Sequence, residues 1–365
     1  MKQTNAKKLI IMKKIVAGLF LLFLFGLLII SFGCLRGGDG NPSSPASLEE
    51  VPIEADTMRN WSIISFTPNH AIVDGKEIYY YLPNKEKVIY YYHGTNGSAK
   101  GLIGGIEWLH FMKTAAQRGY GLVVIESEDR DKGKYNVTLN PQTNVDIVYI
   151  KKIDDLLKKN GLITDATKRY GLGMSRGATF VTYVGAVFNY KAVAPYNAPG
   201  LAGLFAKEEY KIPTFFNMSE NDTRVPNYEY LPNYTILKNK GVPSVLMENY
   251  EQVVTKDLFM RVPGVTLEES TQVFDAFVAN GYITSEGVFT DKLKGREYNP
   301  DYTDEDYQRL RVEELKELQP VLNSLSPKLA AKATDLISPF KVALAYHEFH
   351  SGFVNETIDF FDAQN

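Results

Sequence analysis

The chain has 365 residues, 44% of them hydrophobic and 12% aromatic, a composition that supports a large packed core and argues against disorder. Forty lysines and arginines face 43 aspartates and glutamates, so the formal net charge is only −3. That balance gives no basic surface for nucleic acid, and none is expected as a partner. One cysteine, Cys34, excludes an intrachain disulfide, so the fold must hold without covalent staples.

Residues 1–34 read as a signal peptide or membrane anchor. Lys7, Lys8, Lys13 and Lys14 precede an uncharged apolar run from Ile15 to Phe32. A positive start followed by such a run is the pattern of a secretory signal or signal anchor, and this run is just long enough to span a bilayer. Gly33 and Cys34 follow directly. This end resembles a bacterial lipoprotein signal, in which the thiol receives a lipid and becomes the new N-terminus, although Ser31 stands where that pattern usually has leucine. The resemblance implies lipidation at Cys34; an uncleaved anchor is the alternative. On either reading the body is exported and held at the bacterial cell envelope, with residues 35–55, including GGDGNPSSPAS, as a flexible tether.

From residue 56 to 365 the chain alternates strand and helix patterns. SIISF and KEIYYYLP are expected to form an opening hairpin with VDGK as its turn. KVIYYYHG, YGLVVIES, KRYGLGMS, YKAVAPYNA and IPTFFNMSEND are buried strands. WLHFMKTAAQRG, VDIVYIKKIDDLLKKNG and GATFVTYVGAVF are helices between them. Such alternation predicts a mostly parallel sheet with helices on both faces. LPNYTILKNKG continues as a helix and PSVLMEN as a strand. Residues 254 to about 337 then read as a helical, charged insertion, either a cap over a site or a docking surface.

The chemistry concentrates at GMSRG, residues 173–177, which lies after a strand and before a helix. A serine on that turn is pushed outward above the sheet, while the N–H of Arg176 and the helix N-terminus face developing negative charge. A dinucleotide fingerprint starting at Gly171 and Gly173 would need glycine or alanine at Arg176. The hydroxyl needs a base, and the base an orienting acid. Asp222, on a loop after the apolar strand PTFF, is the candidate acid, with Glu220 as fallback. Only His347 and His350 follow it in the order serine, acid, histidine. The apolar anchors Ile358, Phe360 and Phe361 favour His347, since that spacing leaves a short loop, Ser351 as N-cap and about three helical turns; His350 is the alternative. Were the segment before them helical, the two rings could share a face at i, i+3, but no third zinc ligand is present and no metal is expected. HGTNGS, starting at His93, offers backbone N–H groups near Thr95 or Asn96 as further oxyanion donors.

HGTNGS, GMSRG, DTRVP and the late histidine together resemble the α/β-hydrolase superfamily of serine esterases and related peptidases. The resemblance covers roughly residues 61–249 and 342–361. It implies Ser175 as nucleophile, Asp222 as acid, His347 or His350 as base, and no cofactor. It also implies a small ester or peptide as substrate, an ester being favoured because no propeller-like domain precedes the catalytic part. A non-catalytic surface binding module on the same fold is the rival reading. The long stretch between Asp222 and the histidines departs from the family pattern. Oligomeric state is not legible.

Overall fold

Asp74 and Gly75 carry the first turn, both at positive φ (50° and 76°), the geometry that matches the twist of a two-residue hairpin. Val73 pairs with Lys76 across it. The strand before the turn must therefore end at Val73, and it is β2 (Asn69–Val73), paired with β3 (Lys76–Tyr81). SIISF is not the partner that the sequence reading assigned. Trp61–Ile63 form a short 3-10 turn instead, pinned by the indole N–H of Trp61 on the Ile103 carbonyl at 2.9 Å.

The structure is a computed structural model that describes residues 48–129, 133–294 and 303–365. The apolar run at 15–32, Cys34 and the first part of the expected tether lie outside the described residues. The tether ends earlier than residue 55. Glu49 and Glu50 form β1 against β2, Tyr80 donates its hydroxyl to Glu50 at 2.7 Å, and Val51 N–H donates to His70 O. Among the described residues, no helix is long and apolar enough to cross a membrane.

The remaining strands are β4 (Lys87–Tyr92), β5 (Gly121–Ile125), β6 (Lys168–Met174), β7 (Ala192–Tyr196), β8 (Thr214–Ser219) and β9 (Ser244–Asn249). The sheet runs β1-β2-β3-β5-β4-β6-β7-β8-β9. β3 is antiparallel to β5, and from β5 to β9 every neighbour is parallel. Along β4, Ile89 and Tyr91 face one side and Val88, Tyr90 and Tyr92 the other, all of them buried. A parallel strand covered on both faces needs such a continuous apolar run.

The main helices are α1 (Ala99–Gly104), α2 (Ile106–Gln117), α3 (Val145–Lys159), α4 (Arg176–Phe188), α5 (Tyr230–Asn239), α6 (Leu267–Ala279), α7 (Asp304–Ser324), α8 (Ala333–Ala343) and α9 (Val354–Asp362). α3, α4 and α5 pack on the face of Tyr90 and Tyr92. The other face carries α1, α2 and α9. The inserted segment shares that second core: Phe259, Phe277, Leu318, Val321 and Leu336 are buried in one cluster with Leu109 and Phe111 of α2. Phe277 stacks on Phe340 at 3.8 Å between ring centroids.

Candidate active site

The turn between β6 and α4 is built by glycines. A Cβ on Gly173 would lie 2.2 Å from the Gly177 carbonyl oxygen. One on Gly177 would lie 2.2 Å from the Tyr92 oxygen and 2.5 Å from that of His93. Only glycine lets strand, helix and the end of β4 come this close. Ser175, between them, has φ 56° and ψ −118°, and its N–H donates to Tyr196 O at 2.8 Å. The strand-turn-helix therefore ends in a serine whose side chain lines a cavity of about 330 Å³.

Two distant segments reach that serine. His347 Nε2 lies 2.8 Å from Ser175 Oγ, and His347 Nδ1 lies 2.7 Å from Asp222 Oδ2. The other carboxylate oxygen, Oδ1, accepts from the N–H groups of Arg224 (2.8 Å) and Val225 (3.0 Å). This is why the acid opens DTRVP: an aspartate at the head of a turn is held by the amides two and three residues on. The Asp222 side chain is 1% exposed and that of His347 is 6% exposed, so their contact is shielded from water.

His350, the alternative base, points elsewhere. Its Nδ1 accepts from Gly352 N–H at 3.2 Å, which leaves Nε2–H to donate to Asn217 Oδ1 at 2.8 Å. Burial disfavours its charged form and pushes its pKa down to about 4. α8 ends at Ala343, so the histidines stand in the following loop and do not form an i, i+3 pair. Ser351 does not cap α9, whose N-cap is Phe353. Its hydroxyl donates instead to Glu107 at 2.7 Å.

The oxyanion expectations divide. Asn96 N–H donates to Gly133 O at 2.6 Å, so Asn96 is corrected: its amide is already engaged within the loop. Thr95 lines the cavity, and no acceptor among the described residues takes its N–H. Arg176 opens α4, so its N–H is one the helix itself leaves unused. Its guanidinium turns away and donates from Nε to Tyr135 O at 2.9 Å. His93 accepts from Ser127 N–H at Nε2 and sits 2.7 Å from Gly94 O at Nδ1, a link that fixes the loop.

Those elements decide the architecture: the sheet order, its one reversed strand within the β2–β9 run, and the glycine-flanked serine turn after β6. The chain has the α/β-hydrolase fold. No protein-family model matches it, and no curated protein does. Among solved structures it is similar to a thermostable esterase at 18% identity and TM-score 0.39, over 51% of this chain and 54% of that one. A Pyrococcus horikoshii acylaminoacyl peptidase matches at 15% identity and TM-score 0.39, over 66% and 43%. Thermogutta terrifontis esterase 2 matches at 14% identity and TM-score 0.38, over 58% and 94%. The chain thus spans about half the length of the first of these and less than half of the second. Likenesses this distant say nothing of what the chain acts on.

What the sequence does not announce is how the chain holds its histidine loop. Asn197 Nδ2 donates to Glu348 O at 2.8 Å, and Asn221 Nδ2 to Leu344 O at 2.8 Å. At the loop's far end Glu107 of α2 accepts from Ser351 N–H at 2.9 Å. It also takes two bonds of 2.9 Å from Arg261 of the inserted segment. Burial pushes the Glu107 carboxyl up, but Arg261 and Ser351 outweigh it and hold it below the usual carboxylate range. Both partners are a single acid and a single arginine in unpatterned stretches, and no spacing rule pairs them.

Glu107 is 2% exposed and Arg261 37% exposed, so the two halves of this pair are not equivalent. Arg261→Ala leaves a carboxylate out of water with no cation, and we expect it to cost about 3–5 kcal/mol in urea unfolding. Glu107→Gln leaves an arginine that water can reach, and a clearly smaller loss is expected; equal losses would refute the asymmetry. His350 gives a pH signature. Below about pH 6.5 the unfolded chain takes up a proton that the folded chain refuses until about pH 4. Its contribution is therefore complete above that window and is lost on acidification through it, by about 3 kcal/mol in all. Urea midpoints from pH 7 to 4 should fall less steeply in His350→Asn than in wild type.

Proposed function

We propose that the protein is a serine hydrolase that cleaves a carboxylic ester, with Ser175 as nucleophile, His347 as general base and Asp222 as the group that orients it. The observation that carries this reading is the unbroken chain of contacts from Ser175 Oγ through His347 to Asp222. With Nδ1–H donating to the carboxylate, Nε2 bears the lone pair that faces the serine hydroxyl. As Oγ attacks the ester carbonyl, its proton passes to Nε2, and the imidazolium is stabilised by Asp222. The N–H groups of Arg176 and Thr95 are the proposed donors to the carbonyl oxygen as it becomes an oxyanion; losing one such donor costs about 3–4 kcal/mol in the transition state. Collapse expels the alcohol, which takes the proton from Nε2, and leaves an acyl-serine. Water repeats the sequence and releases the acid, so the cycle consumes one ester and one water and needs no cofactor.

Ser175→Ala and His347→Ala are each expected to abolish labelling by a fluorophosphonate probe. Each should lower p-nitrophenyl acetate hydrolysis by about 10⁵-fold or more, because residues acting as a unit fail together. A wild-type protein that neither labels nor hydrolyses would favour the non-catalytic module.

We further propose that residues 1–34 export the chain and that a lipid on Cys34 holds it at the outer face of the cytoplasmic membrane. The lysine-flanked apolar run and the cysteine that follows it support this reading. Cells fed a labelled fatty acid should transfer the label to the wild-type protein and not to Cys34→Ser. An unlabelled wild type that stays in the membrane would make the segment a signal anchor.

A further inference from the structure

The peptide unit between Tyr196 and Asn197, where β7 ends, adjoins all three parts of the site. Its carbonyl, Tyr196 O, accepts the Ser175 N–H at 2.8 Å, and its N–H, from Asn197, donates to Asn217 O of β8 at 2.9 Å. The Asn197 side chain, fully buried, reaches the other two parts. Nδ2 donates at 2.8 Å to Glu348 O, one residue past His347, and Oδ1 accepts from Ser219 Oγ at 3.1 Å. Ser219 O in turn accepts the N–H of Asp222 at 3.2 Å. The loop that carries the imidazole and the loop that carries the acid therefore hang on one amide, at the end of the strand that holds the serine turn.

That place suits asparagine on two counts. The backbone there has φ 51°, a left-handed conformation that asparagine tolerates better than most side chains. The side chain must also donate at one end and accept at the other. Glu348 O can only accept, so the NH2 group must face it; Oδ1 then faces Ser219, whose hydroxyl must donate. Glycine would meet the backbone demand and make neither bond, and an ionised aspartate has no proton to give Glu348 O. Asn221 grips the other side of the imidazole, through its Nδ2 to Leu344 O at 2.8 Å and its N–H to Ala345 O at 3.0 Å. His347 is thus held before and behind. Neither Asn197 nor Ser219 lines the cavity at Ser175, so any effect they have on chemistry passes through these loops.

We propose that Asn197 is a positioning residue for acyl transfer at Ser175, the tie that keeps the base loop and the acid loop in register with the nucleophile. This inference rests on the serine-hydrolase reading. Asn197→Gly keeps a backbone at ease with φ 51° and removes both side-chain bonds. Hydrolysis of p-nitrophenyl acetate is measured per active site, counted by titration with the fluorophosphonate probe, so that unfolded protein drops out of the rate. In Asn197→Gly kcat is expected to fall by about 10- to 100-fold, the loss that a displacement of about an ångström brings. KM should stay within about twofold, because the residue touches no substrate. Ser219→Ala, which loses the acid-side bond alone, is expected to lower kcat less, and the double variant to fall no further than Asn197→Gly. A wild-type kcat per site in Asn197→Gly, a loss that lies in KM, or losses that multiply in the double variant would each overturn the tie and leave Asn197 a residue of stability alone. If Asn197→Gly does not fold, an unchanged kcat per site in Ser219→Ala overturns it. Labelling separates the two failures. A wild type labelled at Ser175 whose variants keep its kcat loses only the role of Asn197, whereas an unlabelled wild type loses the hydrolase reading and this proposal with it.

Discussion

The site depends on a contact between backbones. Where β6 turns into α4, Gly177 lies against the carbonyls that end β4, and Gly173 lies against Gly177. With no side chains between them, the helix starts directly over the sheet, and the residue between the glycines is forced to φ 56°. Strain of this kind costs about 1–3 kcal/mol and persists only where the surroundings over-determine it. Here the neighbouring strand does so through the bond from Ser175 N–H to Tyr196 O. The strain fixes where the serine stands before anything binds, so on the proposed reading the nucleophile does not have to be ordered during the reaction.

A fixed hydroxyl is useless without a fixed imidazole, and His347 comes from 172 residues further along the chain. It sits on a loop, not on a helix or strand, and Ala345 in that loop has φ 54°. The loop compensates with bonds from its backbone to three separate parts of the fold: the end of β7 through Asn197, the turn after β8 through Asn221, and α2 through Glu107. Each is a buried or half-buried polar contact whose loss would leave a carbonyl, amide or carboxylate unpaired, a penalty larger than the bond's net worth. Precision at the imidazole is thus spread over several groups, none of which touches the serine.

This division explains what was legible in the sequence. Signals that act over a few residues were readable: the serine between glycines at a strand-to-helix junction, the aspartate whose own turn amides hold it, Asp74-Gly75 as a hairpin turn, and the strand and helix alternation that fixes the sheet. SIISF misled because its β-rich composition is local, whereas its conformation is set by packing of Trp61 on a helix end some 40 residues away. Ser351 looked like a cap because serine before a helix usually is one, but a buried carboxylate from α2 competes for its hydroxyl and wins. Asn96 N–H was a reasonable oxyanion donor until Gly133 came close enough to take it. The sequence carries no local trace of Glu107 meeting Arg261, because their 154-residue separation is closed only by the fold.

The inserted segment is where these threads meet. Read from sequence it was a cap or a docking surface, since nothing local told it apart from either. Its apolar side chains are continuous with the core beneath α2, its Arg261 neutralises the acid that holds Ser351, and its last helix, α8, runs straight into the loop that bears His347. Lifting the segment away would expose Phe259, Phe277 and Leu336 and leave Glu107 without its cation, at a cost of about several kcal/mol. Among the described residues, none between 254 and 333 lines the cavity at Ser175. The insertion therefore packs mainly behind the site and reaches its cavity through Lys341 of α8. Its apolar core, its Arg261 on Ser351 and Glu107, and its last helix all abut the loop that carries the imidazole.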